Sequence, residues 1–313
     1  MSRRILVLGA AGRLGRVAAE AFRDAGWQVG SLVRGSAAPR AAPGTELIEL
    51  DARDTLSVVE AAAGADVVLH ALNVPYAQWQ ASAFGFAETA IAAARAAGAT
   101  LLMPGNVYGY GTGMPELLDE DTPMQPTSRK GALRVAIEER LRAETEQGLR
   151  VAILRAGDFY GASGGSWLDR VVVNHLSHGR IAYPGPLDIV HPWAYLPDLA
   201  AAVVRVAEKR DALPPFASFG FPGHAVTGRQ LAAAISKAVG RSLTIDKMQW
   251  WMLRALSPVV PIFRELCEIS YLWKVPHRID GRRLAAAIGT VPHTPFETAV
   301  TAALYELGAT KRR

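Results

Sequence analysis

Short apolar runs alternate with longer amphipathic segments through the first half of the chain. Continuous runs rich in Val, Ile and Leu are typical of strands buried on both faces, whereas the segments between them repeat apolar positions at helical spacing. Because parallel strands need right-handed crossover helices, this alternation predicts an α/β fold, a doubly wound parallel sheet covered on both faces. The six predicted strands are residues 5–9, 28–34, 46–50, 66–72, 100–104 and 150–156.

The second half of the chain loses this alternation and predicts a smaller lobe. Long loops follow the fifth and sixth strands, and the chain from Thr227 is mostly helical in pattern. Ligands of open parallel sheets bind over the carboxyl ends of the strands, where these loops emerge. We predict a first domain over residues 1–155, to which 188–215 return, and a substrate-binding lobe over 156–187 and 216–313.

The first strand runs into GAAGRLG, residues 9–15, which opens a helix. Gly9 permits a tight turn, Gly12 lets the backbone approach a pyrophosphate, and Gly15 lets the helix pack closely on the strand. The helix N-terminus supplies N–H groups for the phosphates. Together with the strand–helix–strand context, this motif predicts a Rossmann-type dinucleotide site.

The end of the second strand indicates which dinucleotide binds. An NAD site usually has Asp or Glu there, accepting hydrogen bonds from the ribose hydroxyls. This chain has Val33, Arg34 and Gly35 instead. A guanidinium matches a 2′-phosphate in charge and geometry, and Arg13 in the glycine loop can approach the same phosphate. The sequence therefore predicts NADP(H) over NAD(H).

Composition and charge exclude several other classes of protein. The net charge of +5 is modest, and we interpret the basic residues 311–313 as a solvated tail rather than a nucleic-acid site. The single cysteine, Cys267, excludes an intramolecular disulfide and fits a reducing compartment. No apolar run is long enough to span a bilayer, and the histidines lack the spacing of metal ligands. We expect a cytoplasmic protein without a metal site.

Several motifs resemble those of extended and atypical short-chain dehydrogenases/reductases, the NAD-dependent epimerase/dehydratase-like superfamily. They are the glycine loop, ELDARD (49–54), LHALN (69–73), MPGNVYG (103–109) and LRAGDFYG (154–161). The resemblance covers most of the chain and implies a Rossmann fold with a nicotinamide cofactor. Besides the three glycines and two arginines above, it implies cofactor contacts from Leu14, Asp51, Ala52, Leu72, Asn73, Lys130 and Gly157.

The chain departs from this family at the catalytic positions. The usual site has a Ser at the end of the fifth strand and a Tyr-x-x-x-Lys pair on the next helix. Alignment through the motifs puts Pro104, Lys130 and Arg134 at these positions. A branch that includes isoflavone-reductase-like enzymes and NmrA-like sensors instead has a K-x-x-x-R-x-x-x-E helix, which residues 130–138 resemble. In the reductases of this branch the lysine is the functional cation.

Lys130, Arg134 and Glu138 form one stripe of the predicted helix, and two interpretations remain. In the first, Glu138 pairs with Arg134 in a solvated ladder worth a few tenths of a kcal/mol. In the second, Lys130 is partly desolvated beside a second cation, with room for a ligand at Gly131, and gives a proton near neutral pH. Arg134 would then hold the ribose or tune Lys130. Asn106 and Tyr108 are candidate substrate contacts, with a loop hydrogen bond as the alternative for each.

The sequence favours an NADP(H)-dependent reductase or epimerase that acts on a small, apolar carbonyl compound. The aromatic segment 248–273 would line its pocket or pack in the core. A dinucleotide-binding sensor without turnover is an alternative, favoured by the missing Ser and Tyr. A nucleotide-sugar epimerase or dehydratase is another, and would need Arg278, Arg282 and Arg283 at a second pyrophosphate. The expected partner is a small molecule, and a homodimer is left open.

Overall fold

The computed structural model describes residues 3–73 and 78–310. Its strands are β1 Arg4–Leu8, β2 Gln28–Val33, β3 Glu46–Glu49, β4 Val67–His70, β5 Thr100–Gly105, β6 Leu117–Leu118, β7 Arg150–Arg155, β8 Asp158–Tyr160, β9 Arg180–Tyr183, β10 Val190–Tyr195, β11 Phe216–Gly220, β12 His224–Thr227, β13 Thr244–Lys247 and β14 Arg278–Ile279. Its α-helices are α1 Arg13–Asp24, α2 Thr55–Ala61, α3 Trp79–Ala97, α4 Arg129–Thr145, α5 Leu196–Glu208, α6 Gly228–Val239, α7 Trp250–Leu256, α8 Pro261–Glu268, α9 Arg282–Ile288 and α10 Phe296–Glu306. The basic residues 311–313 lie outside the described part of the chain.

Seven strands form one sheet in the order β11-β7-β5-β4-β1-β2-β3, and all neighbouring pairs are parallel. The chain runs outward from β1 to β3 and then returns to β4, so the strand order reverses between β1 and β4. Leu8 and His70 are paired in register at this reversal. Ligands of open α/β sheets bind in the crevice beyond such a point, which here lies beyond Leu8 and His70.

The two faces of the sheet bury separate apolar clusters. On one face α1 and α5 pack together over Ile5, Val7 and Leu69, all almost fully buried. On the other, α3 packs between α2 and α4 over Leu6 and Leu101. Successive residues of one strand therefore point to opposite faces but are all apolar, which is why buried parallel strands read as continuous apolar runs.

The rest of the chain adds an aromatic cluster and three small sheets, β12-β10-β8, β13-β9 and β14-β6. Trp193 and Trp273 are almost fully buried in this cluster, and the indole of Trp167 meets that of Trp273 edge-on at 5.1 Å. Four of the five aromatic residues of segment 248–273 pack in this cluster: Trp250, Phe263, Tyr271 and Trp273. Trp250 is buried and donates a hydrogen bond to the Pro184 carbonyl at 2.5 Å, whereas Trp251 is 69 % exposed.

The predicted α/β fold is confirmed, and each of the six predicted strands lies in the main sheet to within one or two residues at its ends. The seventh strand, β11, had no prediction and lies inside the range assigned to the lobe. The division into a cofactor domain and a lobe stays a prediction. None of the helices in 3–73 and 78–310 is long and apolar enough to cross a membrane.

Candidate active site

The glycine loop joins β1 to α1 at the reversal of strand order. Gly9 has φ +85°, and a Cβ there would lie 2.9 Å from the Ala71 carbonyl oxygen. A Cβ on Gly15 would overlap the carbonyl of Gly9, so only glycine lets α1 start this close to β1. Gly12 provides no side-chain cap for α1, and Leu14 is buried below it. The uncapped N-terminus of α1 fits a pyrophosphate.

Arg13 extends to the turn after β8. Its Nη2 donates a hydrogen bond to the Gly161 carbonyl at 2.9 Å, and its side chain lies beside Gly165. Burial lowers the pKa of this guanidinium from its ordinary value. Arg13 therefore connects the glycine loop to the loop that follows β8, while Arg34 follows β2. Simultaneous contact of Arg13 and Arg34 with one phosphate stays a prediction.

An acidic side chain also lies at the end of β2. Arg34 is exposed, so its guanidinium is accessible to a ligand at the end of β2. The β2–β3 register pairs Val33 with Glu49, and a carboxylate oxygen of Glu49 would lie 3.0 Å from a Cβ on Gly35. Glu49 was not predicted at the ribose, because it arrives from β3 through the register of the two strands. Both a guanidinium and a carboxylate thus stand where the adenosine ribose of a dinucleotide is expected.

The loops after β3 and β4 hold the remaining predicted cofactor contacts. Asp51 is exposed and accepts the backbone N–H of Arg53 at 3.0 Å, whereas Ala52 is buried. The Cα of Leu72 would lie 3.0 Å from a Cβ on Gly9, so Leu72 packs over the glycine loop. Asn73 is exposed, and its Oδ1 accepts the indole N–H of Trp79 at 3.2 Å. Their contact with a cofactor stays a prediction.

Lys130 lies in the first turn of α4, which Ser128 caps through the N–H of Gly131 at 3.0 Å. The Lys130 side chain is only 3 % exposed, and its ammonium contacts the carboxylates of Glu265 and, at 3.1 Å, Glu268. Its backbone N–H also donates to Glu268, at 3.1 Å. Burial acts to raise the pKa of Glu268, but the hydrogen bonds from Lys130 bring it below its ordinary value.

These contacts rule out the solvated ladder, whereas a role of Lys130 in catalysis or cofactor binding stays a prediction. Lys130 is buried rather than solvated, and two carboxylates of α8 compensate its charge. Glu138 is buried and pairs with Arg155 at 2.5 Å rather than with Arg134. The expected room for a ligand at Gly131 is wrong as well, since a Cβ there would overlap the Tyr108 carbonyl. Gly131 instead lets α4 pack against the loop after β5.

Arg134 lies one turn further along α4, and its guanidinium carbon is 4.8 Å from the centre of the Trp79 ring. A cation over an indole face is an attractive arrangement. Arg134 and Trp79 line a small cleft at the carboxyl end of β4. Its other lining residues are His70, Leu72, Asn73, Ala83, Phe86 and Ile137. The structure therefore brings Arg134 together with Leu72 and Asn73, but places Lys130 against α8.

His70 is the residue of this cleft that the sequence analysis missed. Burial, with a smaller contribution from the charge of Arg134, lowers the pKa of His70 to about 3. Its Nδ1 is buried and has no hydrogen-bond partner within residues 3–73 and 78–310. A neutral imidazole with one free nitrogen can accept or donate a hydrogen bond. The signal in the sequence is the motif LHALN (69–73), in which Leu72 and Asn73 were predicted as cofactor contacts and His70 was not.

Tyr108 and Asn106 belong to the loop after β5. Tyr108 is buried, its backbone N–H donates to Asn106 Oδ1 at 3.0 Å, and its carbonyl accepts the Tyr271 hydroxyl at 3.2 Å. Asn106 thus makes the loop hydrogen bond that was the alternative to substrate contact. The Tyr108 ring lies 6.1 Å from the Trp79 ring, so it stands near the Arg134 cleft. Its contact with substrate stays a prediction.

Gly157, Arg282 and Arg283 make close contacts within the protein, and a cofactor contact of Gly157 stays a prediction. A Cβ on Gly157 would overlap the Pro192 carbonyl, so this glycine allows the chain before β8 to pack against β10. Arg282 pairs with Asp280 at 2.6 Å, and Arg283 with Asp121 at 2.6 Å. These two arginines are compensated by acids, which disfavours them as ligands of a second pyrophosphate. Within the described residues no cluster of His, Cys, Asp or Glu is arranged to hold a metal ion.

Solved structures with this fold include several nucleotide-sugar enzymes. UDP-N-acetylglucosamine 4-epimerase from Bacillus cereus matches with a TM-score of 0.76 and 15 % identity, over 100 % of this chain and 99 % of that one. UDP-glucose 4-epimerase from Brucella ovis in complex with NAD matches with a TM-score of 0.75 and 15 % identity, over 96 % of this chain and 97 % of that one. At these identities the likeness shows the fold.

A curated relative and a family model cover most of the sequence. The relative is a 3-diazoavenalumate denitrifying reductase from Streptomyces sp, 27 % identical over 298 residues, which are 88 % of this chain and 96 % of the relative. The model of the NAD dependent epimerase/dehydratase family matches residues 5–219, which run from β1 to β11. With the uncapped glycine loop at the reversal of strand order, these matches establish that the chain belongs to the NAD dependent epimerase/dehydratase family and is an oxidoreductase with a nicotinamide cofactor.

Proposed function

We propose that this protein is an NADP(H)-dependent reductase that transfers a hydride to an electron-poor, largely apolar small molecule. The observation that carries the proposal is the environment of Lys130. Alignment with the family puts Lys130 at the position of the catalytic tyrosine, and two carboxylates of α8 hold its ammonium. Pro104, at the position of the serine, has no side-chain donor. The Ser and Tyr hydroxyls of the usual family site are therefore absent, and the residues in their places suit a reaction that needs no hydroxyl as proton donor.

The need for a protein acid depends on the group that receives the hydride. Addition to a carbonyl carbon leaves an oxyanion, which takes a proton from a general acid. Addition to a diazonium nitrogen instead neutralises a positive charge: R–N₂⁺ and H⁻ give R–N=NH, which loses N₂ and leaves R–H. This reaction balances without a proton donor. The name of the curated relative, a denitrifying reductase of a diazo compound, supports the same substrate class for this chain.

Arg134 is proposed to position the cofactor. It occupies the place of the family's lysine, and its stacking on Trp79 holds the guanidinium at the carboxyl end of β4, beside Leu72. Asn73 supports the same arrangement by accepting the indole N–H of Trp79. His70 lines the same cleft. We assign these side chains to the nicotinamide ribose, and Lys130 to holding α8 against α4.

The preference for NADP(H) rests on Arg34, which is exposed at the end of β2 and carries the charge that a 2′-phosphate needs. Glu49 lies close by and would repel that phosphate, so the preference is proposed to be moderate. NAD(H) is the less favoured cofactor.

Residues 1–155 and 188–215 with β11 would form the cofactor domain, and the remaining lobe would supply the substrate surface. A homodimer and a cytoplasmic location stay predictions.

Product analysis with labelled cofactor tests this proposal. The full chain is incubated with NADPH deuterated at the transferred position and with a benzenediazonium carboxylate, and the rate is compared with that of the same mixture without protein. We expect deuterium in the arene, release of N₂ and oxidation of one NADPH per product. Arg134→Ala should lose most of this rate. Arg142→Ala is the matched control, because Arg142 also lies on α4 and stacks on an aromatic ring, that of Phe216.

Two outcomes would overturn the proposal. Isomerisation of UDP-glucose without net consumption of NADPH would assign the chain to the nucleotide-sugar epimerases. Tight binding of NADPH, with no oxidation above the protein-free rate by the diazonium compound or by apolar aldehydes, would assign it to the dinucleotide-binding sensors.

A further inference from the structure

The helical hairpin α7–α8, residues 250–268, exposes an unusual amount of apolar surface. Ten large apolar side chains are exposed over the described residues, and five of them lie within twelve consecutive positions of this hairpin. They are Trp251 at 69 %, Met252 at 43 %, Leu256 at 41 %, Val259 at 75 % and Ile262 at 43 %. Single exposed apolar residues are common on protein surfaces, whereas a contiguous group of this kind marks an interaction site.

The hairpin is firmly held on its inner side. Trp250 and Leu253 are buried and separated by one helical turn, so they fix one face of α7 to the body of the protein. Glu265 and Glu268 fix α8 through Lys130 and Arg129. The outer face is therefore a preformed surface rather than a loose segment.

The charges of the hairpin are sorted between these two sides. From residue 250 to 264 the only charged side chains are Arg254 and Arg264. Both are exposed, and Arg264 also pairs with Glu265 at 3.5 Å. The two acids of α8 lie on the inner side, where Lys130 compensates them. The outer face thus combines Trp, Met and aliphatic side chains with positive charge and no exposed acid. A bilayer surface with anionic headgroups has the complementary chemistry, because Trp and aliphatic residues enter the interface and arginines meet the phosphates.

We infer that the α7–α8 hairpin docks this protein on anionic lipid bilayers as a peripheral, interfacial anchor. The apolar tip around Val259 and the exposed face of α7 enter the headgroup region, and Arg254 and Arg264 remain at the phosphates. Each arginine near such a surface strengthens binding by roughly fivefold at low salt, and the contribution falls as salt screens it.

Vesicle flotation with the full chain tests this inference. Vesicles of phosphatidylcholine alone are compared with vesicles that contain equal parts of phosphatidylcholine and phosphatidylglycerol. We expect the protein to float with the anionic vesicles, with binding that weakens at high salt. Trp251→Ser combined with Val259→Ser should abolish flotation, and Arg254→Gln with Arg264→Gln should weaken it by up to about twenty-five-fold at low salt. Leu56→Ser is the control for a loss of exposed apolar surface elsewhere, since Leu56 is 78 % exposed on α2.

Melting temperatures of all variants are measured alongside, since these side chains are exposed and their replacement should leave the fold intact. A wild-type chain that stays in solution with both kinds of vesicle overturns the inference. So does sedimentation showing a dimer that Trp251→Ser with Val259→Ser dissociates, together with no flotation, because the hairpin would then serve a second copy of the chain. Binding to both vesicle types with equal affinity and no salt dependence would remove the role of the arginines.

Discussion

Lys130 Nζ lies 3.1 Å from Glu268 Oε2, and this contact joins the first turn of α4 to the last turn of α8. With Glu265, Arg129 and Arg264 it forms a network of three cations and two carboxylates in which Lys130 is almost fully buried. Lys130 therefore links α4 to α8. This relationship governs how a substitution at Lys130 should be interpreted.

Replacement of Lys130 by Met should cost about 3 kcal/mol or more of unfolding free energy, because it leaves two carboxylates without their buried cation. Denaturant unfolding measures the change. Lys237→Met is the control, since its ion pair with Glu297 is exposed on both sides and should contribute less than about 1 kcal/mol. If Lys130→Met retains full stability but loses turnover, the lysine is the proton donor after all and the structural role is wrong.

The cofactor preference should respond in opposite directions to two neighbouring side chains. Arg34→Ala should weaken NADPH binding by about tenfold or more, the scale of a lost hydrogen bond to a charged group, and leave NADH binding nearly unchanged. Glu49→Gln should strengthen NADPH binding, since it removes a like charge from the phosphate. Fluorescence titration with both cofactors measures each effect. Arg40→Ala is the control, because Arg40 is exposed in the same turn after β2. Equal losses in Arg34→Ala and Arg40→Ala would contradict a specific phosphate contact.

His70 should make the protein less stable in acid. Its pKa in the folded state is about 3, well below the ordinary value of 6.5, so the unfolded chain binds one more proton between these two values. Stability is therefore lost as the pH falls below about 6.5, with a slope of about 1.4 kcal/mol per pH unit for one proton. His277, whose pKa burial also lowers to about 3, should add a similar slope.

His70→Gln should remove its share of this slope between about pH 6 and pH 4. Unfolding free energies measured across that range test the expectation. His178→Gln is the matched control, because His178 is exposed on the surface. A slope that His70→Gln leaves unchanged would show that His70 is protonated in the fold.

Gly15 and Gly85 should respond in opposite ways to alanine. A Cβ on Gly15 would overlap the Gly9 carbonyl, so Gly15→Ala should push α1 off β1 and weaken both stability and NADPH binding. Gly85 lies within α3, and a Cβ there would meet nothing within 4 Å. Gly85→Ala should stabilise the chain by up to about 1 kcal/mol, since alanine is the better helix former. Thermal melts with and without NADPH compare the two, and similar behaviour of both variants would contradict the close approach at Gly15.

Local patterns in the sequence predicted the sheet because each buried strand is apolar along its whole length. β11 escaped prediction because it is short, follows Pro214 and Pro215, and gains its burial only by pairing with β7 more than sixty residues earlier. Its two phenylalanines, Phe216 and Phe219, are three positions apart, so the five residues do not show the period of two that is typical of a strand. The glycine loop was predictable for a related reason: its turn, helix start and strand lie within one short segment.

The side-chain contacts of the site depend on distant parts of the chain, and local patterns could not provide them. The stripe of Lys130, Arg134 and Glu138 is visible in the sequence, but each member contacts a residue of another element. Glu49 reaches the end of β2 only through the register of two strands. His70 gains its lowered pKa from the helices that cover it. Spacing along one helix therefore identified the residues without identifying their partners.

The link between Lys130 and Glu265 has a consequence for synthesis of the chain on the ribosome. The two residues are 135 positions apart, so α4 emerges from the ribosome well before α8. At roughly 5–20 residues per second, the interval is about 7–27 seconds. During that time the strands β1–β5 and β7 can pair, but the ammonium of Lys130 must stay hydrated at the start of α4. The part of α4 that contacts α8 in the folded protein therefore stays exposed until the C-terminal helices are translated. A holding chaperone can bind this surface in the meantime.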